Sequence, residues 1–108
     1  MTTINPEENI LTLINTFTVE PENQEKLVGL LNEATEKVIK HLDGFVSVSI
    51  HQGVEGTKVA NYAQWRSKEH FMAALKNPEA QAYMKQVEEL VQKAEPVLYQ
   101  VNSSHKIR

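Results

Sequence analysis

The chain has 108 residues, 41% of them hydrophobic, a formal charge of −3 with lysine and arginine scattered, and no cysteine. Such a chain buries one core, so a single domain over 1–108 with an ordered core over about 9–102 is expected, and the charge gives no electrostatic reason to bind nucleic acid or an anionic membrane. Disulfides, thiolate nucleophiles and sulfur-ligated zinc are excluded, no apolar run approaches the roughly 20 residues that span a bilayer, and the polar opening MTTINPEENI has no leader pattern, so a soluble cytoplasmic protein is expected.

Ile10 to Val19, ILTLINTFTV, is rich in β-branched and aromatic residues and stops at Glu20-Pro21, which predicts a first strand. From Pro21, acidic residues in the first turn precede apolar residues at Leu27, Leu31, Ala34, Val38 and Leu42, the spacing of one helical face, and Asp43-Gly44 ends the helix. Phe45 to His51 alternates Val46, Val48 and Ile50 against Phe45, Ser47, Ser49 and His51, a second strand. The turn Val54-Glu55-Gly56-Thr57 leads into a third, TKVANYAQW, to give a hairpin. Ser67 then caps a helix that breaks at Asn77-Pro78 and restarts with Ala80, Tyr83, Met84, Val87, Leu90, Val91 and Ala94 on one side, closing at Pro96. Val97 to Val101 predicts a fourth short strand, followed by a loosely ordered polar tail, NSSHKIR.

The order βαββαβ describes an α+β, ferredoxin-like sandwich in which the helices cover one face of a four-stranded antiparallel sheet. The expectation for the other face is that Leu11, Leu13, Asn15 and Phe17 share it with Phe45 and Trp65, too apolar a surface to leave in water, so that a second copy covers it and the protein is a homodimer.

Alternation within VANYAQWRS puts Val59, Asn61, Ala63 and Trp65 on one side of the third strand. With TLINTFTV, GFVSVSIHQGVEGT, NPEAQAYM and PVLYQV following in order, and with NYAQW plus serine as the most specific piece, the chain resembles the antibiotic biosynthesis monooxygenase family of the dimeric α+β barrel superfamily. The pattern is most similar to the cofactor-independent, quinone-forming monooxygenases of aromatic polyketide pathways. The resemblance implies a pocket with His51, Asn61 and Trp65 as catalytic residues and Asn15, Phe17, Phe71 and Met84 as substrate-binding residues. It also implies no metal or other cofactor, molecular oxygen as co-substrate, and a small aromatic substrate. Those enzymes carry tyrosine where this chain has Phe71, and a pocket arginine that falls near Met84 or Lys85. A haem-degrading branch has an asparagine that Asn15 matches, but its tryptophan and proximal histidine fall on Ala74 and Met84, leaving iron no axial imidazole.

Each candidate has a second reading. Asn61 beside aromatic walls suits an oxyanion, and it also suits a structural amide that satisfies backbone groups. Trp65 offers a flat surface for a polycyclic ring or for dimer packing. His51 takes a phenolic proton, or is a surface histidine at a hairpin end. His41, His70 and His105 read as solvated positions, and Ser67 as no nucleophile elbow. The leading expectation is an oxygenase that turns a phenol, hydroquinone or anthrone-like substrate into a quinone. The alternative is a non-catalytic small-molecule-binding or dimerisation module on the same barrel.

Overall fold

In the computed structural model, which describes residues 10–107, the sheet is built from β1 (Leu11–Val19), β2 (Phe45–Gln52), β3 (Lys58–Trp65) and β4 (Val91–Gln100). The helices are α1 (Gln24–Lys37), α2 (Lys68–Leu75) and α3 (Pro78–Leu90), with single 3-10 turns at Pro21–Asn23 and Ile39–His41. The strands lie in the order β2-β3-β1-β4, every neighbouring pair antiparallel, which is the α+β ferredoxin-like arrangement. Of the ordered core expected over 9–102, residue 9 lies outside the described residues, as does the last residue of the tail.

The expected stripe holds through Val38, but α1 ends at Lys37 and not at Asp43-Gly44; a 3-10 turn follows at Ile39–His41, and Leu42 is half-buried. Leu27, Leu31, Ala34 and Val38 are buried, and Leu27 and Leu31 meet Phe17, Val19, Val59 and Val87 in one apolar cluster. The α2–α3 break also falls where Asn77-Pro78 predicts: the Asn77 side chain accepts a hydrogen bond from the Ala80 amide at 2.9 Å, and proline occupies the first turn, where it has no intrahelical bond to lose.

Three further expectations are corrected. First, α3 stops at Leu90, and Val91 and Ala94 belong to β4, which contains Pro96 instead of starting after it. A strand tolerates proline at the sheet edge, where one side needs no ladder bond, and β4 is such an edge. Second, a register shift between Phe45 and Ser47 adds a residue to β2, so Phe45 pairs opposite Trp65 and joins the face of Val48 and Ile50, not that of Ser47 and His51. Third, Leu11, Leu13, Phe17, Phe45 and Trp65 do not form an uncovered apolar face. They lie beneath the helices, where Leu13, Phe45 and Trp65 pack with Leu42, Phe71 and Ala74. Strand parity told the two faces apart; which one the helices would cover it did not say.

The uncovered face is mixed. It carries Thr12, Ile14, Tyr62 and Gln64, with Gln64 Nε2 donating to Thr12 Oγ1 at 3.2 Å and both residues buried. The β2–β3 hairpin is pinned to the start of α1 by Gln24, whose Nε2 donates to the carbonyls of Gly53 and Lys58 at 2.9 and 3.1 Å.

Two turns need a left-handed residue: Gly44 has φ of 84° and Gly56 of 95°. A Cβ at Gly44 would lie 2.1 Å from Cγ of His70, whereas one at Gly56 would meet nothing within 4 Å. Chemical denaturation should therefore separate them. Gly56→Ala should cost about 1 kcal/mol, for backbone strain alone, and Gly44→Ala roughly 3 kcal/mol or failure to fold, because the His70 ring must also move. Equal losses would show that the His70 contact carries no weight.

Candidate active site

β1 and β3 place Asn15 directly opposite Asn61, and the pairs on either side, Leu13 with Ala63 and Phe17 with Val59, are apolar. Because opposite residues of an antiparallel ladder point to the same face, the two amides stand side by side under the helix layer. They separate two apolar clusters, one around Phe17, Leu27, Leu31 and Val59, the other around Ala63, Trp65 and Ala74. Both residues are half-buried, yet the Oδ1 atoms of both are shut from solvent and have no hydrogen-bond partner among the described residues. A buried acceptor without a partner costs about 1–3 kcal/mol, so a fold that keeps two of them adjacent gives up stability at its centre.

Trp65 lies on the same face of β3 as Asn61, past Ala63. It is 3% exposed, with the Phe45 ring edge-on at a centroid distance of 5.8 Å and the Phe71 ring tilted at 6.5 Å. The indole is thus held by one aromatic residue from β2 and one from α2. A flat substrate reaches it only where one of them gives way. Phe17 lies two residues along β1 from Asn15 and is buried in the first cluster. Met84, on α3, is 38% exposed.

The structure does not bring His51 to this group. It pairs opposite Ala60, so its exposed side chain leaves the other face of the sheet from Asn61 and Trp65. Asn15, Asn61 and Trp65 thus share the sheet face under the helices, and Phe71 reaches Trp65 from α2. Among the described residues no cluster of three or more histidine, aspartate or glutamate side chains is placed to hold a metal ion.

One arrangement escaped the reading of His70 as a solvated position. Ser67 Oγ lies 2.7 Å from His70 Nδ1 and also accepts from the His70 amide at 3.1 Å, while His70 Nε2 stands 3.6 Å from Asp43 Oδ2. The signal was present as spacing: a histidine three residues after a serine N-cap holds the position from which a side chain reaches back to the cap. Two clefts border these elements without including Asn61. One of about 330 Å³ lies on the open face against Tyr62, Gln64 and Tyr99, and one of about 310 Å³ runs between α2 and the Leu42–Asp43 turn.

Comparison with known proteins adds to this geometry. A family model described as antibiotic biosynthesis monooxygenase matches residues 10–86. Tetracenomycin-F1 monooxygenase of Streptomyces glaucescens is 43% identical over 83 residues, which are 77% of this chain and 74% of the relative. The monooxygenase from the gene ActVA-Orf6 of Streptomyces coelicolor, solved with nanaomycin D, superposes with a TM-score of 0.83 at 25% identity, covering 96% of each chain. A variant of SnoaB, a cofactor-independent oxygenase from Streptomyces nogalater, has a TM-score of 0.80 at 18% identity over 89% of this chain and 96% of its own, a likeness of fold.

The two faces of the sheet should be distinguishable in near-ultraviolet circular dichroism, because Trp65 is the only tryptophan. Phe71→Ala should change the indole signal strongly, while His51→Ala should leave it unchanged and shift stability by no more than about 0.5 kcal/mol. An altered indole signal in His51→Ala would contradict the placement of His51 away from Trp65.

Proposed function

The chain belongs to the antibiotic biosynthesis monooxygenase family, and from that premise we propose that it is a cofactor-independent monooxygenase that converts an electron-rich phenol or anthrone-like ring to a quinone with molecular oxygen. The observation that carries this reading is the cross-strand pair Asn15 and Asn61, whose buried Oδ1 atoms have no partner among the described residues, on the same sheet face as Trp65, which packs against Phe71. The relatives lend it substance: one is a tetracenomycin-F1 monooxygenase, one was solved with nanaomycin D, and one is described as cofactor-independent.

An amide offers an acceptor on one side and two donors on the other, and rotation about its last side-chain bond exchanges them. One amide of the pair can accept the hydrogen bond of a phenol O–H while its neighbour donates to the oxygen as negative charge gathers there. Such donors, set in place before reaction in a site shielded from water, favour the electron-rich phenolate over the neutral phenol. The phenolic proton passes to solvent water, the phenolate passes an electron to dioxygen, the resulting radical pair joins at a ring carbon that bears hydrogen, and the peroxide takes a proton back and loses water. The balance is one substrate and one dioxygen to one quinone and one water. The ring hydrogen and the phenolic hydrogen both leave in that water, and no outside reductant enters. Asn61 holds the oxyanion, Asn15 the neighbouring polar contact, and Trp65 with Phe71 the plane of the ring. Phe17 and Met84 lie at the margins, and His51 takes no part from the opposite face.

A homodimer belongs to the same proposal, for a different reason from the one the sequence suggested. The edge strand β4 leaves Val97, Leu98 and Tyr99 each more than two-fifths exposed, an apolar strand edge of the kind that pairs with another chain.

Oxygen uptake against naphthols, dihydroxynaphthalenes and anthrones, run with chelator present, tests the proposed activity. Consumption of one dioxygen per quinone formed is expected. Asn61→Ala should keep fold and melting temperature while lowering kcat by roughly 100-fold, as loss of one oxyanion donor does elsewhere. Trp65→Phe should act mainly on KM, because ring packing is used in ground and transition states alike. Tight binding of these rings with no oxygen uptake would instead identify a binding module, and full activity in Asn61→Ala would remove the amide from the chemistry.

A further inference from the structure

We propose that α2 is a hinged wall of the site, clasped shut by Ser67, His70 and the Asp43–Gly44 turn, and that the cleft beside it is the route by which an aromatic substrate reaches Trp65, an inference that rests on the placement of the site at Asn61 and Trp65. Trp65 is enclosed, so a ring can lie against it only after a neighbour moves. Phe45 belongs to a strand paired along β3 and has little freedom. Phe71 belongs to an eight-residue helix whose one buried residue is Ala74. Both ends of that helix are capped breaks in the chain, at Ser67 and at the Lys76–Asn77 junction with α3. Two turns of helix with so little buried surface are the least anchored cover over the site.

What holds α2 down is concentrated at its first turn. Ser67 Oγ accepts from the His70 amide and can give its own proton to Nδ1, 2.7 Å away, which leaves the ring proton on Nε2 facing Asp43 at 3.6 Å. The Asp43 carboxylate is almost fully exposed, so that pairing is weak. Shape does more. The ring lies against Gly44, in contact with a backbone position that has no room for a side chain, and the carbonyl of Gly44 accepts from the amide of Arg66 at 2.8 Å, just before the hinge. His70 thus locks the start of α2 to the turn that precedes β2, and the next residue, Phe71, presses on Trp65.

The cleft marks the side on which the wall would open. Its volume of about 310 Å³ lies between α2 and the Leu42–Asp43 turn, bounded by His70, Ala73, Ala74 and Lys76. Leu42 and Ala74 line it and also pack in the cluster that contains Trp65, so the cleft and the indole's surroundings share these two apolar side chains. Release of the clasp would let α2 turn about its two ends and join cleft to site.

The single tryptophan allows a test without substrate, by acrylamide quenching of its fluorescence. Trp65 should be poorly quenched in the parent protein. His70→Ala should raise the quenching constant roughly 3-fold at unchanged far-ultraviolet circular dichroism, because the opened state becomes populated. His70→Asn, which keeps an amide within reach of Ser67, should return most of the way to the parent value. In the His70→Ala background, Ala73→Phe should fill the cleft from α2 and restore protection. A folded His70→Ala protein quenched like the parent would overturn the clasp, and a double variant quenched like His70→Ala would overturn the cleft as the route. Should His70→Ala fail to fold, Ser67→Gly, which keeps a serviceable N-cap but removes the hydroxyl, is judged by the same criterion. Oxygen uptake is not part of this measurement, so its outcome stands apart from that of the oxygenase test.

Discussion

The cross-strand pair Asn15–Asn61 is the constraint around which the rest of the molecule is arranged. At the centre of the covered face, where the ladder on either side carries leucine, alanine, phenylalanine and valine, the chain places two amides whose oxygens have no partner among the described residues. Their cost, about 1–3 kcal/mol apiece, is a sizeable share of the 5–15 kcal/mol by which domains of this size are stable. The apolar packing forms two clusters. One cluster secures α1 to the sheet through Leu27 and Leu31, and the other gathers aromatic rings around Trp65. The first is the scaffold; the second, next to the amides, has the surfaces that a planar ring would use.

The same division separates heavily anchored from lightly anchored elements. α1 buries four residues and fixes the hairpin through Gln24, so the strands that carry Asn15 and Asn61 are held on both sides. α2 buries one and is held mainly by its cap and by a histidine lying on a glycine. Preorganised donors need the first kind of support, whereas entry of a bulky substrate needs the second, and the chain assigns them to different elements.

Much of this was legible from residue patterns. The caps at Ser67 and Asn77, the buried stripe of α1, and the shared face of Asn61 and Trp65 follow from local chemistry, which depends only on near neighbours. What misled was long-range. Parity put Leu13, Asn15 and Phe17 on one face but not under the helices, because nothing local says which side a helix will choose. One bulged residue near Phe45 moved that ring to the side of Trp65, and the same parity sent His51 away from it. Pro96 resembled a stop and proved to be an edge position, a distinction set by the absence of a neighbouring strand. His70 looked solvated because its partners, Asp43 and Gly44, are distant in sequence.

The central claim is that Asn61 lowers stability for the sake of chemistry, and the nearly isosteric Asn61→Leu tests it most directly. Unfolding free energy and oxygen uptake should be measured on the same preparation. Stability equal to or above that of the parent, together with loss of turnover, is the predicted result, since an apolar side chain of similar shape removes a buried unpaired acceptor. A folded variant that is less stable by about 2 kcal/mol or more would show that the amide serves the structure, and would contradict the account.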